Sequence, residues 1–214
     1  MAPETQPPRR NLKQVRILLW ILVALAVIGT AALLLIPRVT GQKPPEIATK
    51  ITSASFGGPF TLTGADGKRF SSAALAGKPY AIFFGFTNCG DVCPTTLARL
   101  VKLRQTAGAV TGMNIVFVTT DPWRDGPKEV GQYAAMFNSP IIGLTGTPAQ
   151  IDQVKKQFGI FSQKHPMPGG GKMDYMMDHT ATVLLFGPDG KFAATIAPDE
   201  PDRSALDKIK RVTA

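Results

Sequence analysis

One uncharged stretch of twenty residues divides this chain and restricts what each side of it can become. Residues 17–36 contain no Asp, Glu, Lys or Arg. As a helix they would extend ~30 Å, which matches the hydrocarbon core of a bilayer. Trp20 lies near the start of the stretch, where an amphipathic ring suits the membrane interface. Because no polar face interrupts these residues, a helix of a soluble core fits them poorly. We therefore predict a single transmembrane anchor.

The flanking charges predict how this anchor is oriented. Basic residues are concentrated before it, and few follow: Arg9, Arg10, Lys13 and Arg16 against Arg38 and Lys43. The positive-inside rule then keeps the N-terminus in the cytoplasm. A cleaved secretory signal is the alternative, but its apolar region is usually only about 7–15 residues long. We predict a cytoplasmic tail at residues 1–16, an uncleaved anchor at 17–36, a linker at 37–54 and a translocated domain at 55–214.

The domain at residues 55–214 shows strands that alternate with helices. A hairpin is expected around the turn Asp66-Gly67, and a short helical turn follows it. Buried strands are predicted at 80–86, 114–119, 141–144 and 179–186, with a returning strand from residue 191. Helices are predicted at 95–106, 127–137, 149–158 and 201–212, and a loop at 162–175. This order indicates an α/β fold with a mixed central sheet.

The only two cysteines of the chain lie close together. Cys89 and Cys93 are separated by three residues, directly after an apolar run and before a helical pattern. They are therefore expected at the carboxyl end of a central strand, which is where ligand-binding sites lie in open α/β sheets. The N-terminus of the following helix lowers thiol pKa values through its partial positive charge. Strand, cysteine pair and helix together suggest a thioredoxin-like fold.

Three chemistries are open to such a pair in an oxidising compartment. A structural disulfide is one, although a loop this short would constrain the unfolded chain little. A dithiol oxidoreductase is the second, but the usual thioredoxin motif has two intervening residues, and Asp91 would raise the thiol pKa values here. The third is a soft metal site, which needs a further ligand from elsewhere.

The chain offers only two histidines as that further ligand. His165 lies in the segment predicted to be a loop, and His179 lies at the predicted start of a strand. The ordered position favours His179. Two thiolates and one imidazole suit three-coordinate Cu(I) better than zinc, which takes four ligands or an open water position. Four methionines cluster nearby, and their thioethers could also bind Cu(I), although core packing is their more common role: Met167, Met173, Met176 and Met177.

Four motifs resemble those of the Sco/SenC family. They are GGPFTL at 57–62, GFTNCGDVCP at 85–94, TDPWRD at 120–125 and DYMMDHT at 174–180. The likeness covers nearly all of residues 55–212. It implies a membrane-tethered thioredoxin-like domain that binds Cu(I) and Cu(II) through Cys89, Cys93 and His179, and that helps assemble the copper centre of cytochrome c oxidase subunit II.

The resemblance also implies a second activity and a location. Some members of the family reduce disulfides of that subunit or of another copper chaperone, with the two cysteines as the redox pair. The expected location is the bacterial inner membrane with the domain in the periplasm, or the mitochondrial inner membrane facing the intermembrane space. The chain departs from the family at Asn88 and Gly90, where His and Pro are frequent. The net charge of +9 has no basic-aromatic motif behind it, so no nucleic-acid partner is expected.

Overall fold

The computed structural model describes residues 12–39, 56–108, 112–171 and 173–214. The chain divides into two compact units, Met1–Lys50 and Ile51–Ala214. In the described part of the first unit, helix α1 runs from Leu12 to Val39 and contains the predicted anchor at 17–36. Among the described residues, no helix combines the length and the apolar character needed to cross a bilayer. Residues 1–11 of the predicted tail and 40–54 of the predicted linker lie outside the described residues.

The second unit contains nine strands and four α-helices among its described residues. The strands are β1 Thr61–Gly64, β2 Arg69–Ser71, β3 Tyr80–Gly85, β4 Asn114–Thr119, β5 Ile142–Thr145, β6 Ser162–Pro166, β7 Tyr175–His179, β8 Val183–Phe186 and β9 Phe192–Ile196. The helices are α2 Val92–Thr106, α3 Pro127–Ala135, α4 Pro148–Gln157 and α5 Asp202–Thr213. A 3₁₀ turn at Ser72–Leu75 follows the first hairpin, as predicted.

Seven of these strands form one mixed sheet in the order β2-β1-β5-β4-β3-β8-β9. The central strands β3, β4 and β5 are parallel, whereas β1 and β8 pair antiparallel with their neighbours. The predicted α/β fold with a mixed sheet is thereby confirmed. Apolar side chains cover both faces, one cluster packing with α2, α3 and α5 and the other with α4. Sheets with helices on both faces need continuous apolar strands, which is what β3 and β4 supply.

Strands β3 and β4 determine where the site lies. All six residues of β3 are buried, with Phe83 facing one apolar cluster and Phe84 the other. Burial of each such ring contributes about 1.5–3 kcal/mol of hydrophobic stabilisation. Because β3 and β4 are parallel and in register, their carboxyl ends reach the same edge of the sheet. The cysteine loop leaves from the end of β3, and the TDPWRD turn leaves from the end of β4.

The structure differs from the prediction around His179. The segment 162–175, predicted as a loop, contains strand β6, which pairs antiparallel with β7 in a separate two-stranded ribbon. His179 is the last residue of β7 and not the first residue of β8, which begins at Val183. Strand β7 alternates in burial: Tyr175 and Met177 are buried, whereas Met176 and Asp178 are exposed. Both histidines lie in paired strands, so the expectation that His165 lies in a loop was wrong, whereas His179 is in a strand as expected.

Candidate metal centre

Cys89, Cys93 and His179 converge at the edge of the sheet where β3 ends. Their ligand atoms, two Sγ and one imidazole nitrogen, all lie within 4.8 Å of one another. Cys93 Sγ is 3.3 Å from His179 Nε2, across 86 residues of sequence. Both cysteines are free thiols. Metal–sulfur and metal–nitrogen bonds of about 2.0–2.3 Å would hold such atoms roughly 3–4 Å apart, so small side-chain shifts would suffice to bind one ion.

Cys93 is the buried member of the trio. It is the second residue of α2 and has no exposed surface. Gly85, at the end of β3, makes room for it: a Cβ at Gly85 would lie 2.8 Å from Cys93 Sγ. Sequence reasoning missed this role of Gly85. The available signal was a glycine inside an otherwise apolar strand, which often marks a close approach of another group.

Cys89 lies in the loop before α2 and is partly exposed. The backbone N–H of Cys93 donates to Cys89 Sγ at 3.4 Å. The residue that precedes α2, Asp91, makes no side-chain hydrogen bond to the helix backbone. Cys89 sulfur therefore contacts one of the unpaired N–H groups that every helix start leaves. This contact places the Cys89 sulfur at the positive end of the helix.

Burial raises the pKa of the Cys93 thiol well above its usual range. A backbone hydrogen bond at Phe86 opposes this effect, and the nearby Cys89 and Asp125 add to it. Asp91 was expected to raise the thiol pKa, but its side chain is turned to Thr95, whose hydroxyl donates to it at 3.2 Å. Burial is therefore the main cause of the raised pKa. A bound soft cation would replace the thiol proton and remove that penalty.

The imidazole of His179 has one nitrogen facing Cys93 and the other facing a backbone carbonyl. Its Nδ1 lies 3.1 Å from the carbonyl oxygen of Thr180. A carbonyl can only accept, so this contact places the proton on Nδ1 and leaves the lone pair of Nε2 towards Cys93. The rings of Phe83 and Phe86 contact the imidazole edge-on, with centroids 6.0 and 5.7 Å away. Burial lowers the pKa of His179, which favours the metal-binding form.

A buried carboxylate fixes the cysteine loop. Asp125, which is fully buried, accepts from the backbone N–H of Thr87 at 2.9 Å and from its hydroxyl at 2.6 Å. The Thr119 hydroxyl, at the end of β4, donates to the same carboxylate at 2.6 Å. Burial raises the pKa of Asp125, and these hydrogen bonds oppose the increase. Asp125 therefore ties the residues just before Cys89 to the neighbouring strand.

The same turn also fixes the strand that carries the histidine. Asp121 accepts from the Tyr175 hydroxyl at 2.5 Å and from Arg124 Nε at 2.5 Å. Arg124 Nη1 donates to the carbonyl of Tyr175 at 3.1 Å, and its guanidinium lies 3.8 Å from the centre of that ring. Tyr175 is four residues before His179 on β7. The TDPWRD motif thus holds both ligand-bearing segments, a role that the sequence analysis did not assign to it.

A groove of about 500 Å³ opens beside the trio. Cys89, His179 and Met176 all line it. His165 lies on β6, where its Nε2 is 2.8 Å from a carboxylate oxygen of Asp178, and it is not part of the trio. The histidine that the sequence favoured is the one that joins the cysteines.

Comparisons with known proteins show the family to which the chain belongs. A sequence model of the SCO1/SenC family matches residues 48–214. Protein SCO1 of yeast mitochondria (Saccharomyces cerevisiae) is 33% identical over 174 residues, which cover 80% of this chain and 59% of the yeast protein. The aligned part spans between about half and three fifths of the first mitochondrial relatives that it matches.

Solved structures of similar proteins share the fold. ScoI of Bradyrhizobium japonicum, solved with copper bound, is 37% identical, with a TM-score of 0.66 over 73% of this chain and 99% of that one. BsSco, a member of the Sco family of cytochrome c oxidase assembly proteins in which a disulfide switch was identified, is 27% identical, with a TM-score of 0.54 over 74% of this chain and 94% of that one. The chain carries the family's sequence pattern over most of its length, and it belongs to the SCO1/SenC family.

Proposed function

We propose that this chain is a copper metallochaperone that helps assemble the copper centre of cytochrome c oxidase subunit II. Cys89 and Cys93 would supply thiolates and His179 its Nε2 nitrogen. The observation that carries the proposal is the approach of these three ligand atoms to within 4.8 Å of one another. The copper-bound structure of a similar protein supports it.

The donor set suits copper as a cargo that must be both held and given up. Two thiolates and one imidazole satisfy a three-coordinate Cu(I) ion, and an incoming ligand can add to it because soft sites exchange ligands readily. The groove beside Cys89 and His179 offers room for a thiolate or imidazole of a partner. Hydrogen bonds from Thr87 to Asp125, and from Tyr175 to Asp121, hold the ligand segments in place before copper arrives. Such pre-organisation lowers the cost of ordering the site on binding.

The direct test is a Cu(I) titration of the full chain under anaerobic reducing conditions, in competition with a chromophoric chelator. We expect one tightly bound equivalent, which Cys93→Ala abolishes and His179→Ala weakens. Loss of a residue that hydrogen-bonds to a metal ligand commonly lowers metal affinity by about 10–100-fold, so loss of a direct ligand should lower it at least as much. His165→Ala is the matched control and should leave the tight equivalent unchanged. Tight binding that survives Cys93→Ala would refute the proposal.

We also propose that residues 17–36 anchor the chain in the bacterial inner membrane, or the mitochondrial one, with the domain on the oxidising side. The uncharged stretch and the basic residues before it support this arrangement. Fractionation with carbonate extraction should leave the full chain in the membrane pellet. Added protease should cleave the domain once the outer membrane has been made permeable. A chain found entirely in the soluble fraction would contradict the anchor.

A second candidate activity is thiol-disulfide exchange with the oxidase subunit or with another copper chaperone. Two free thiols with one sulfur partly exposed favour it. The Cys89 thiolate would attack the partner's disulfide and form a mixed disulfide with one of its sulfurs. The Cys93 thiolate would then attack the Cys89 sulfur, so that the partner leaves with two thiols and this chain keeps a Cys89–Cys93 disulfide. Turnover that is retained in His179→Ala and lost in Cys89→Ser would identify this activity. Turnover that falls equally in both variants would count against it.

A further inference from the structure

We propose that the outer face of the β6–β7 ribbon is a second, weaker Cu(I) site that captures copper before it reaches the cysteines. Its central ligands are His165 on β6 and Met176 on β7, with Met167 and Met173 beside the turn that joins the strands. The purpose of this site rests on the copper function proposed above, but its ability to bind metal does not. It is therefore tested separately from Cys89.

The register of the ribbon places the two central ligands together. His165 is paired directly with Met176 across the two strands. Directly opposed residues on one face of an antiparallel pair have Cβ atoms about 4.5–5.5 Å apart, within reach of one bound ion. The His165 side chain is 46% exposed and Met176 is 57% exposed. Met177, the next residue, is buried at 6% exposure and packs in the core. Packing accounts for Met177 and not for Met176.

The two other methionines stay exposed in the same part of the chain. Met167 and Met173 are 50% and 51% exposed. They flank the turn, and the backbone N–H of Met167 donates to the carbonyl of Asp174 at 2.9 Å, which holds the ends of the ribbon together. Three of the four methionines near His179 are thus exposed in one part of the chain. Only Met177 of the four is buried.

The chemistry of the face selects a soft cation. Thioether sulfur and imidazole nitrogen bind Cu(I), whereas hard cations prefer oxygen. His165 Nε2 lies 2.8 Å from Asp178 Oδ2, so the ring is oriented by a carboxylate and its Nδ1 remains as the ligand atom. With neutral sulfur donors in place of thiolates, this site should hold Cu(I) more weakly than Cys89 and Cys93 do.

The position of Met176 connects this face to the primary site. Met176 lines the same groove as Cys89 and His179, three residues before His179 on β7. A Cu(I) ion held by His165 and Met176 could pass to Cys89 by exchange of one ligand at a time. The step changes neither the oxidation state of copper nor the redox state of the thiols, and the thiol protons leave to solvent as the thiolates bind.

The test separates the two sites with the full chain in detergent. In a Cys89→Ser, Cys93→Ser and His179→Ala variant we expect one weak Cu(I) equivalent, accompanied by a shift of the ¹³C-methyl resonance of Met176. The resonance of Met136, which is 68% exposed at the end of α3, should not move. Since that triple variant could fold poorly, the same resonances are followed in the unmutated chain during addition of a second equivalent of Cu(I).

Two substitutions then decide the role of the face. Met176→Leu keeps the shape and apolar surface but removes the sulfur. It should weaken the second equivalent by at least about tenfold, as loss of a ligand does, while Met136→Leu changes nothing. Loading of the primary site from a Cu(I) chelate should be several-fold slower in Met176→Leu, with its final stoichiometry intact. A second equivalent that is absent, or that is retained in full by Met176→Leu, would overturn the site. If the unmutated chain bound no tight equivalent of Cu(I), that result would instead refute the primary copper function.

Discussion

Replacement of Gly85 by alanine should weaken the proposed metal centre, although it replaces none of the three ligand residues. A Cβ at this position would lie 2.8 Å from Cys93 Sγ and 3.1 Å from ring carbons of both Phe83 and Phe117. Favourable contacts between such atoms occur at about 3.5–4.0 Å, so the neighbours must retreat by roughly 0.5–1 Å. Cys93 and the two rings are fully buried, which leaves them little space in which to move.

The expected cost follows from that crowding. Overpacking of a dense core by one methyl group costs typically about 1–3 kcal/mol of unfolding free energy. The retreat also moves Cys93 Sγ relative to His179 Nε2, now 3.3 Å away, so the affinity for Cu(I) should fall by about 10–100-fold, as it does when groups that orient metal ligands are lost. Urea unfolding of the copper-free chain measures the first effect, and chelator competition measures the second.

Gly90→Ala is the matched control for this substitution. Gly90 also adjoins the site, yet a Cβ there would meet no atom within 4 Å. Alanine should leave stability unchanged or raise it by about 0.4–1 kcal/mol through the unfolded state. If Gly85→Ala and Gly90→Ala had the same stability and the same copper affinity, the argument that Gly85 makes room for Cys93 would be wrong.

Two further predictions concern the groups around the site. Asp125→Asn places an amide where a carboxylate now accepts three hydrogen bonds, so the free energy of unfolding should drop by about 1–3 kcal/mol in urea titrations. Asp91→Asn, just before α2 at an exposed position, is the control and should cost little. Equal losses in the two variants would contradict the role of Asp125. Burial and a raised pKa protect the Cys93 thiol, so iodoacetamide at pH 8 should label Cys89 first, and mass spectrometry that finds equal labelling rates would refute the described exposure.

Much of the α/β domain was predictable because its central strands are continuous apolar runs. Strands β3 and β4 appear in the sequence as residues 80–86 and 114–119, and burial on both faces leaves little choice of structure for such segments. The cysteine pair was equally predictable, since it follows one of these runs directly. The choice of His179 over His165 rested on the expectation that His165 lies in a loop and on the family resemblance, and the first of these reasons was wrong because both histidines lie in strands.

The β6–β7 ribbon was not predictable in the same way. Ser162–Pro166 contains lysine, histidine and proline and lacks an apolar alternation, so nothing local distinguishes it from a loop. It is a strand because β7 pairs with it, and β7 is held by the contact of Tyr175 with Asp121. The space that Gly85 leaves for Cys93 is likewise a tertiary contact. Such contacts appear only when distant segments are brought together.

The unequal exposure of the two sulfurs would give the proposed copper exchange a direction. Cys93 has no exposed surface, whereas Cys89 is partly exposed and borders the groove. In the proposed copper-bound state, a ligand of the acceptor protein can therefore displace Cys89 first, and the bond from copper to Cys93 breaks last. At no stage need the ion be released into solution, since the acceptor gains its first bond before the donor loses its final one. A site with both sulfurs at the surface would lack this order of steps and would lose copper to any competing thiol.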